Sequence, residues 1–90
     1  MAWQINLSET AKKQLSALDR TIQQRILKYL RDRVSLASDP RELGGPLQSN
    51  LSGLWKYRVG DYRIIAKIDS ENFFILVVLV GHRRNIYGGH

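Results

Sequence analysis

The stretch WKYRVGDYR, residues 55–63, predicts a β-hairpin. Its two-residue loop, Gly60 and Asp61, begins with glycine, which is typical of a type II′ turn. That turn places Arg58 directly opposite Arg63. Because successive side chains of a strand point to opposite faces, one face of the hairpin is apolar and the other is basic. A slip of one residue would bury the cations, so the pattern specifies the register.

The two faces of the hairpin are expected to have different roles. The apolar face should meet the helices and consists of Trp55, Tyr57, Val59, Tyr62, Ile64 and Ala66. The basic face consists of Lys56, Arg58, Arg63, Ile65 and Lys67. Like charges directly across a ladder destabilise a sheet by roughly 0.2–1 kcal/mol, so this face is predicted to hold an anion. The alternative is that the arginines lie over Tyr and Ile side chains and pair with Asp61, Glu42 or the C-terminal carboxylate.

A second polar segment, GHRRNIY at residues 81–87, follows the apolar run FFILVVLV at residues 73–80. The run predicts a central strand covered on both faces. Because consecutive strands here are antiparallel, its end should lie beside the start of residues 62–68, and His82 and Arg83 are expected to converge on the basic face. His82 is interpreted as a general acid or base. Tyr87 offers a ring on which a base stacks, or else packs back on the sheet.

The rest of the chain predicts a small α+β domain. Residues 3–7 alternate as a half-buried strand does, and Ser8 is the expected N-cap of a first helix. Asp19 should cap a second helix, whose apolar stripe is formed by Ile22, Ile26, Leu27, Leu30 and Val34. A loop over residues 39–53 leads to strands at 54–59, 62–68 and 73–80. The predicted order is β-α-α-β-β-β in a single domain, residues 1–90, with the helical hairpin on one face of an antiparallel sheet and the other face open and basic.

Charge and residue usage narrow the function. Fourteen Lys and Arg against eight Asp and Glu give a net charge of +6, which suggests a nucleic acid or an acidic protein as partner. There is no cysteine, which excludes disulfides and thiolate sites. No paired carboxylates or spaced metal ligands stand out, so neither a metal nor another cofactor is expected. The N-terminus lacks a signal peptide and no run is long enough for a membrane span, so we expect a cytoplasmic protein without membrane contact.

Cations, an imidazole and a phenol suit metal-free cleavage of RNA. In that reaction the ribose 2′-hydroxyl is the nucleophile, and fixed positive charge meets the negative charge that develops on the phosphate. The requirement for a 2′-hydroxyl would restrict the substrate to RNA.

The segments LSGLWKYRVGDYR (residues 51–63) and VLVGHRRNIY (residues 78–87) resemble the RelE/ParE superfamily of bacterial toxin–antitoxin modules. The resemblance covers nearly the whole chain, and WKYRVGDYRIIAKI with VGHRRNIY is typical of the RelE-like branch. It implies a small basic endoribonuclease, an mRNA interferase of bacterial or archaeal cytoplasm that cuts messenger RNA on the ribosome. It also implies a co-encoded, RelB-like antitoxin that wraps and neutralises the toxin.

The family's active-site residues carry over onto this sequence with two changes. The cations correspond to Lys56, Arg58, Arg63 and Arg83, and the C-terminal tyrosine corresponds to Tyr87. Arg58 and His82 stand where the family commonly has lysine, and the spacing from Arg83 to the tyrosine is shorter. The catalytic set implied by the resemblance is Lys56, Arg63, His82, Arg83 and Tyr87, with either His82 or Lys56 as general base. The residues expected to bind RNA and its phosphates are Arg58, Lys67 and Arg84.

Two other functions remain open from the sequence. ParE-like relatives share the fold but poison DNA gyrase without a nuclease site, and they tend to lack the His-Arg…Tyr ending. A non-enzymatic basic module that binds nucleic acid would need the cations but not the proton chemistry.

Overall fold

The computed structural model describes residues 2–47 and 53–87. A five-stranded sheet in the order β1-β5-β4-β3-β2 carries two helices on one face. The elements are β1 (Gln4–Leu7), α1 (Glu9–Ser16), α2 (Arg20–Tyr29), β2 (Gly45–Pro46), β3 (Trp55–Val59), β4 (Tyr62–Asp69), β5 (Phe74–His82) and α3 (Arg83–Tyr87). None of the helices in these ranges is both long enough and apolar enough to span a bilayer.

The predicted hairpin is confirmed in its register. Arg58 lies opposite Arg63 and Val59 lies opposite Tyr62. Gly60 has a φ of +60°, whereas Asp61 is not among the residues of positive φ, which is the pattern of a type II′ turn. The turn residues alone therefore position the cations of β3 against those of β4.

The helical hairpin begins at the predicted caps. Ser8 accepts a hydrogen bond from the Ala11 N–H at 3.0 Å, and the Asp19 carboxylate accepts one from the Thr21 N–H at 3.2 Å. Beyond α2 the chain continues as a π-helical turn, Leu30–Val34. Ile26, Leu30 and Val34 of the stripe are buried as predicted, but Leu27 is 39% exposed.

The core lies between the helices and the apolar face of the sheet. Its fully buried side chains include Ile26, Val34, Tyr57, Ile64, Ile75 and Val77. The Tyr57 hydroxyl reaches through this layer and donates a hydrogen bond to the Pro40 carbonyl at 2.8 Å. Tyr57 thereby links β3 to the loop that follows the helices.

Two features of the sheet differ from the prediction. β1 pairs with β5 in parallel, so the sheet is mixed rather than antiparallel. β5 is buried on the helix side at Ile75, Val77 and Val80, but only half-buried on the other side at residues such as Leu76, so its cover is complete on one face only. The basic face is not uniformly open either, because Ile65 is fully buried.

Candidate functional site

The cations of the hairpin line a cleft of about 530 Å³ on the β2–β3–β4 side of the sheet. This volume falls within the range of small-molecule sites, roughly 300–1,000 Å³. The residues of this cation cleft are Tyr29, Gly44, Gly45, Lys56, Arg58 and Arg63. The structure thus brings together three of the predicted site residues and adds three that the sequence analysis did not assign.

The three cations are held differently. Arg63 is half-buried, and its guanidinium donates to the carbonyls of Gly60 and Tyr62, both at 3.1 Å, so the turn fixes its position. Arg58 is exposed directly across the ladder, and Lys56 lies opposite Ile65. Between described residues the salt bridges are Lys12–Glu9 and Arg31–Asp32. Neither of them involves Arg58. The alternative expected from the sequence, in which this arginine pairs with Asp61 or Glu42, is therefore not found among the described residues.

The wall formed by Gly44 and Gly45 depends on a close backbone approach. Gly44 has a φ of +67°, and a Cβ built on it would overlap the carbonyl oxygen of Lys56. Gly45 is the cross-strand partner of Lys56, and nothing lies within 4 Å of a Cβ built there. Glycine at position 44 is what lets this loop lie directly against the strand that carries Lys56.

Replacing Gly44 with alanine should therefore displace β2 from β3. We expect a loss of roughly 1–3 kcal/mol in the free energy of unfolding, because the new Cβ meets backbone and the positive φ strains any other residue. Gly45→Ala is the matched control and should change the free energy by no more than about 0.5 kcal/mol. Urea unfolding of both variants measures this, and equal stability of the two would contradict the close approach at Gly44.

Tyr29, the last residue of α2, closes the cleft on the helix side. Its ring meets the ring of Tyr57 edge-on, with centroids 6.2 Å apart. Burial raises the pKa of its phenol, and the positive charge of Arg33 partly opposes that shift. The sequence contained a signal for this position, because Tyr29 lies three residues after Ile26 and seven after Ile22, on the border of the apolar stripe.

His82 does not converge on the basic face, and that prediction is wrong. It lies within β5 opposite Tyr62, with ring centroids 5.5 Å apart, whereas Arg63 is paired with Gly81. Tyr62 packs against the core, so His82 points to the helix side of the sheet. The Nδ1 atom of His82 accepts a hydrogen bond from the Arg84 N–H at 3.2 Å.

The cause is an irregularity in the pairing of β4 with β5. The register shifts between Ile65 and Ala66, so that Val77 and Val80 both face the core. The shift inserts one residue and reverses the alternation along the rest of β5. Without it, a residue at position 82 would point to the face opposite Val77.

Three of the remaining predicted site residues, Lys67, Arg83 and Arg84, do not line the cleft. Arg83 is exposed, and its N–H donates to the Asp61 carbonyl at 2.8 Å, which joins the start of α3 to the hairpin turn. Arg84 is exposed one residue later. Lys67 is exposed on the same strand as Arg63 but outside the cleft. Tyr87 ends α3, and its side chain lies outside the described part of the structure.

The chain is similar in sequence to known toxins over nearly its whole length. A family model described as the ParE toxin of the type II toxin–antitoxin system parDE matches residues 5–87. The chain is 29% identical over 87 residues to Toxin RelG of Mycobacterium tuberculosis, and the alignment covers 97% of this chain and 98% of that protein. These matches span almost the entire domain.

Solved structures show the same fold. The toxin–antitoxin complex RelBE2 from Mycobacterium tuberculosis contains a chain with a TM-score of 0.84 and 26% identity, covering 92% of this chain and 93% of that chain. The archaeal RelE–RelB complex from Pyrococcus horikoshii matches with a TM-score of 0.70 and 24% identity, covering 92% and 97% of the two chains.

Proposed function

Since the chain belongs to the RelE/ParE superfamily of type II toxin–antitoxin toxins, we propose that it is an endoribonuclease of the RelE-like branch that cuts messenger RNA on the ribosome. The observation that supports this most is the cation cleft. Arg58 opposes Arg63 across the ladder, Lys56 stands one pleat away, and the cleft has the volume of a small-ligand site. Like charges directly across a ladder repel each other, and a phosphate placed between them would interact favourably with both.

The proposed reaction uses the ribose 2′-hydroxyl as nucleophile. Its oxygen attacks the phosphorus and loses its proton, the bond from phosphorus to the 5′-oxygen breaks, and the 5′-oxygen takes up a proton. The products are a 2′,3′-cyclic phosphate and a 5′-hydroxyl, and hydrolysis of the cyclic phosphate gives a 3′-phosphate. Fixed cations at the site where negative charge develops favour the transition state over the bound substrate.

The residues take the following roles in this proposal. Arg63, held by the turn, and Arg83, whose N–H donates to Asp61 in the same turn, bind the phosphate, with Arg58 in support. Lys56 is the side chain of the cleft proposed to exchange the proton, because His82 faces Tyr62 instead. Tyr87 orients the nucleotide, and Lys67 and Arg84 contact the RNA farther from the cut.

Primer extension on messages translated in vitro tests the proposal. The protein should create new 3′ ends within translated messages, and an Arg83→Ala variant should create far fewer. Equal cutting by both proteins would refute the role of Arg83. The matched family is described as that of the ParE toxin, so the experiment must also distinguish cleavage of RNA from poisoning of gyrase. Uncut messages together with stalled gyrase complexes would identify a gyrase poison, and binding of RNA without cutting would identify a binding module.

The partner proposed for this toxin is a co-encoded, RelB-like antitoxin. The matched structures of RelBE2 and of the archaeal RelE–RelB are toxin–antitoxin complexes. This chain offers a groove of about 400 Å³ between β1 and α2, lined by Ile5, Leu7, Leu27, Leu30, Arg31 and Ser35. An amphipathic helix fits such a groove with its apolar side, while acidic flanking residues meet the net positive charge.

Leu27→Asp should weaken binding of the neighbour-encoded antitoxin by about 30-fold or more, the effect of losing a central apolar contact of about 2 kcal/mol. Leu36→Asp is the matched control, because Leu36 is 65% exposed and does not line the groove. Titration of each purified variant measures the affinities. Association should also slow as salt rises. Equal loss in both variants would show that charge, rather than the groove, decides the affinity.

A further inference from the structure

Tyr29 lines two hollows, and each of them also has cations among its lining residues. One is the cation cleft. The other is a hollow of about 350 Å³, here named the helix hollow, which is lined by Arg25, Lys28, Tyr29, Asp32, Arg33 and Val59.

The ring of Tyr29 is fixed from behind. Its edge-on contact with Tyr57 ties it to the core, and Tyr57 is itself held by its hydrogen bond to Pro40. Tyr29 is half-buried and lines both hollows, so part of this residue is accessible from each of them. A ring that is already ordered loses little conformational freedom when a ligand binds, which makes it an effective contact surface.

Three cations, Arg25, Lys28 and Arg33, line the helix hollow together with one carboxylate, that of Asp32. The Asp32 carboxylate accepts a hydrogen bond at 3.1 Å from Nε of Arg31, which lies outside the hollow. Arg33 lines the helix hollow together with Tyr29, and its positive charge opposes the rise in the pKa of that phenol. Tyr29 thus lines two hollows that each have cations among their lining residues.

Alternation of cations with an aromatic ring is how proteins track a single-stranded nucleic acid, with phosphates on the cations and a base on the ring. We propose that Tyr29 stacks a base that flanks the cut, and that Arg25, Lys28 and Arg33 bind the adjoining phosphate. The substrate RNA then runs from the cation cleft over Tyr29 into the helix hollow. This inference rests on the proposed function, because it extends the path of the same RNA.

Binding of a short 2′-O-methyl RNA, measured by fluorescence anisotropy, tests the stacking. This RNA has no free 2′-hydroxyl and cannot be cut through it. Tyr29→Leu should weaken binding roughly 5- to 150-fold, the range for one stacked base, whereas Tyr29→Phe should stay within about twofold because the ring remains. Equal affinity of Tyr29→Leu and the unaltered protein overturns the inference, and so does an equal loss in the Leu and Phe variants.

A second pair of variants keeps the test valid if Tyr29→Leu folds poorly. Lys28→Gln removes a cation of the helix hollow, and Lys13→Gln removes one from the last turn of α1, outside both hollows. Each phosphate contact contributes about 0.7 to the slope of log affinity against log salt for a single strand. Lys28→Gln should lower the slope by that amount and Lys13→Gln should leave it unchanged. Equal slopes for the two variants overturn the proposed path.

The two proposals fail in different ways. A protein that binds the 2′-O-methyl RNA through Tyr29 but cuts no message contradicts the endoribonuclease and supports the RNA path. A protein that cuts messages, and does so equally well with leucine at position 29, supports the endoribonuclease and overturns the path. Absence of any binding to this RNA also overturns the path.

Discussion

Arg63→Ala is expected to slow the cleavage of RNA by about 10²–10³-fold, the cost of removing one preorganised charge-stabilising group. Arg63 should have this effect because the carbonyls of Gly60 and Tyr62 hold its guanidinium in the cation cleft before substrate arrives. Single-turnover cleavage of a translated message measures the rate of the chemical step.

Lys67→Ala is the matched control for this experiment. It removes one positive charge from the same strand, outside the cleft. Its rate should fall by no more than about tenfold, in line with an RNA contact remote from the cut. Equal losses at Arg63 and Lys67 would mean that the total charge of the face matters and that the cleft does not.

Tyr57→Ala is expected to lower the free energy of unfolding by about 3–5 kcal/mol, the range for large aromatic side chains in a core. Tyr57 has no exposed surface and joins β3 to Pro40. Tyr57→Phe keeps the ring but leaves the Pro40 carbonyl without this donor, which should cost about 1–3 kcal/mol. Urea unfolding at neutral pH measures both, and a loss below about 1 kcal/mol in the alanine variant would contradict the burial of this ring.

Tyr57 also gives the fold a dependence on alkaline pH. Burial raises the pKa of its phenol above the unfolded value of 10.0, and Tyr29 and Asp39 act in the same direction. As pH rises, the unfolded chain therefore loses this proton before the folded protein does. Stability from this group is complete below about pH 10 and is lost above it. The Tyr57→Phe variant should show a flatter decline in the free energy of unfolding between about pH 9 and 11.

The hairpin could be predicted from the sequence because its determinants are local. A glycine in first place of a two-residue loop fixes the turn, and the turn fixes that Arg58 meets Arg63. The helix caps at Ser8 and Asp19 are equally local, since each side chain bonds an N–H two or three residues later. Predictions of this kind need no knowledge of the rest of the fold.

The position of His82 could not be predicted in the same way. It depends on a shift of register between β4 and β5 at Ile65 and Ala66, which lies within the paired strands and away from the turn that joins them. Parallel pairing of β1 with β5 is likewise a contact between the two ends of the chain. Local patterns identify both strands but do not show which way the last residue of β5 points.

The helix side of the cleft was missed for a related reason. Periodicity along α2 identified an apolar stripe, and a tyrosine at its border is consistent with simple packing. Only the tertiary fold shows that Tyr29 and the wall at Gly44 and Gly45 face the cations of β3. The close approach of Gly44 to the backbone of Lys56 also explains why glycine occurs at this position. The composition of the loop alone did not explain it.

A message that carries a single 2′-deoxynucleotide shows whether the ribose 2′-hydroxyl is the nucleophile. The substitution is placed on the 5′ side of a mapped cut, and the message is translated with the toxin and analysed by primer extension and by the chemistry of its new ends. The all-ribose message should be cut to give a 2′,3′-cyclic phosphate or 3′-phosphate and a 5′-hydroxyl, and the substituted message should not be cut at the deoxy position. Undiminished cutting at the deoxy position, or products with a 5′-phosphate, would contradict this prediction.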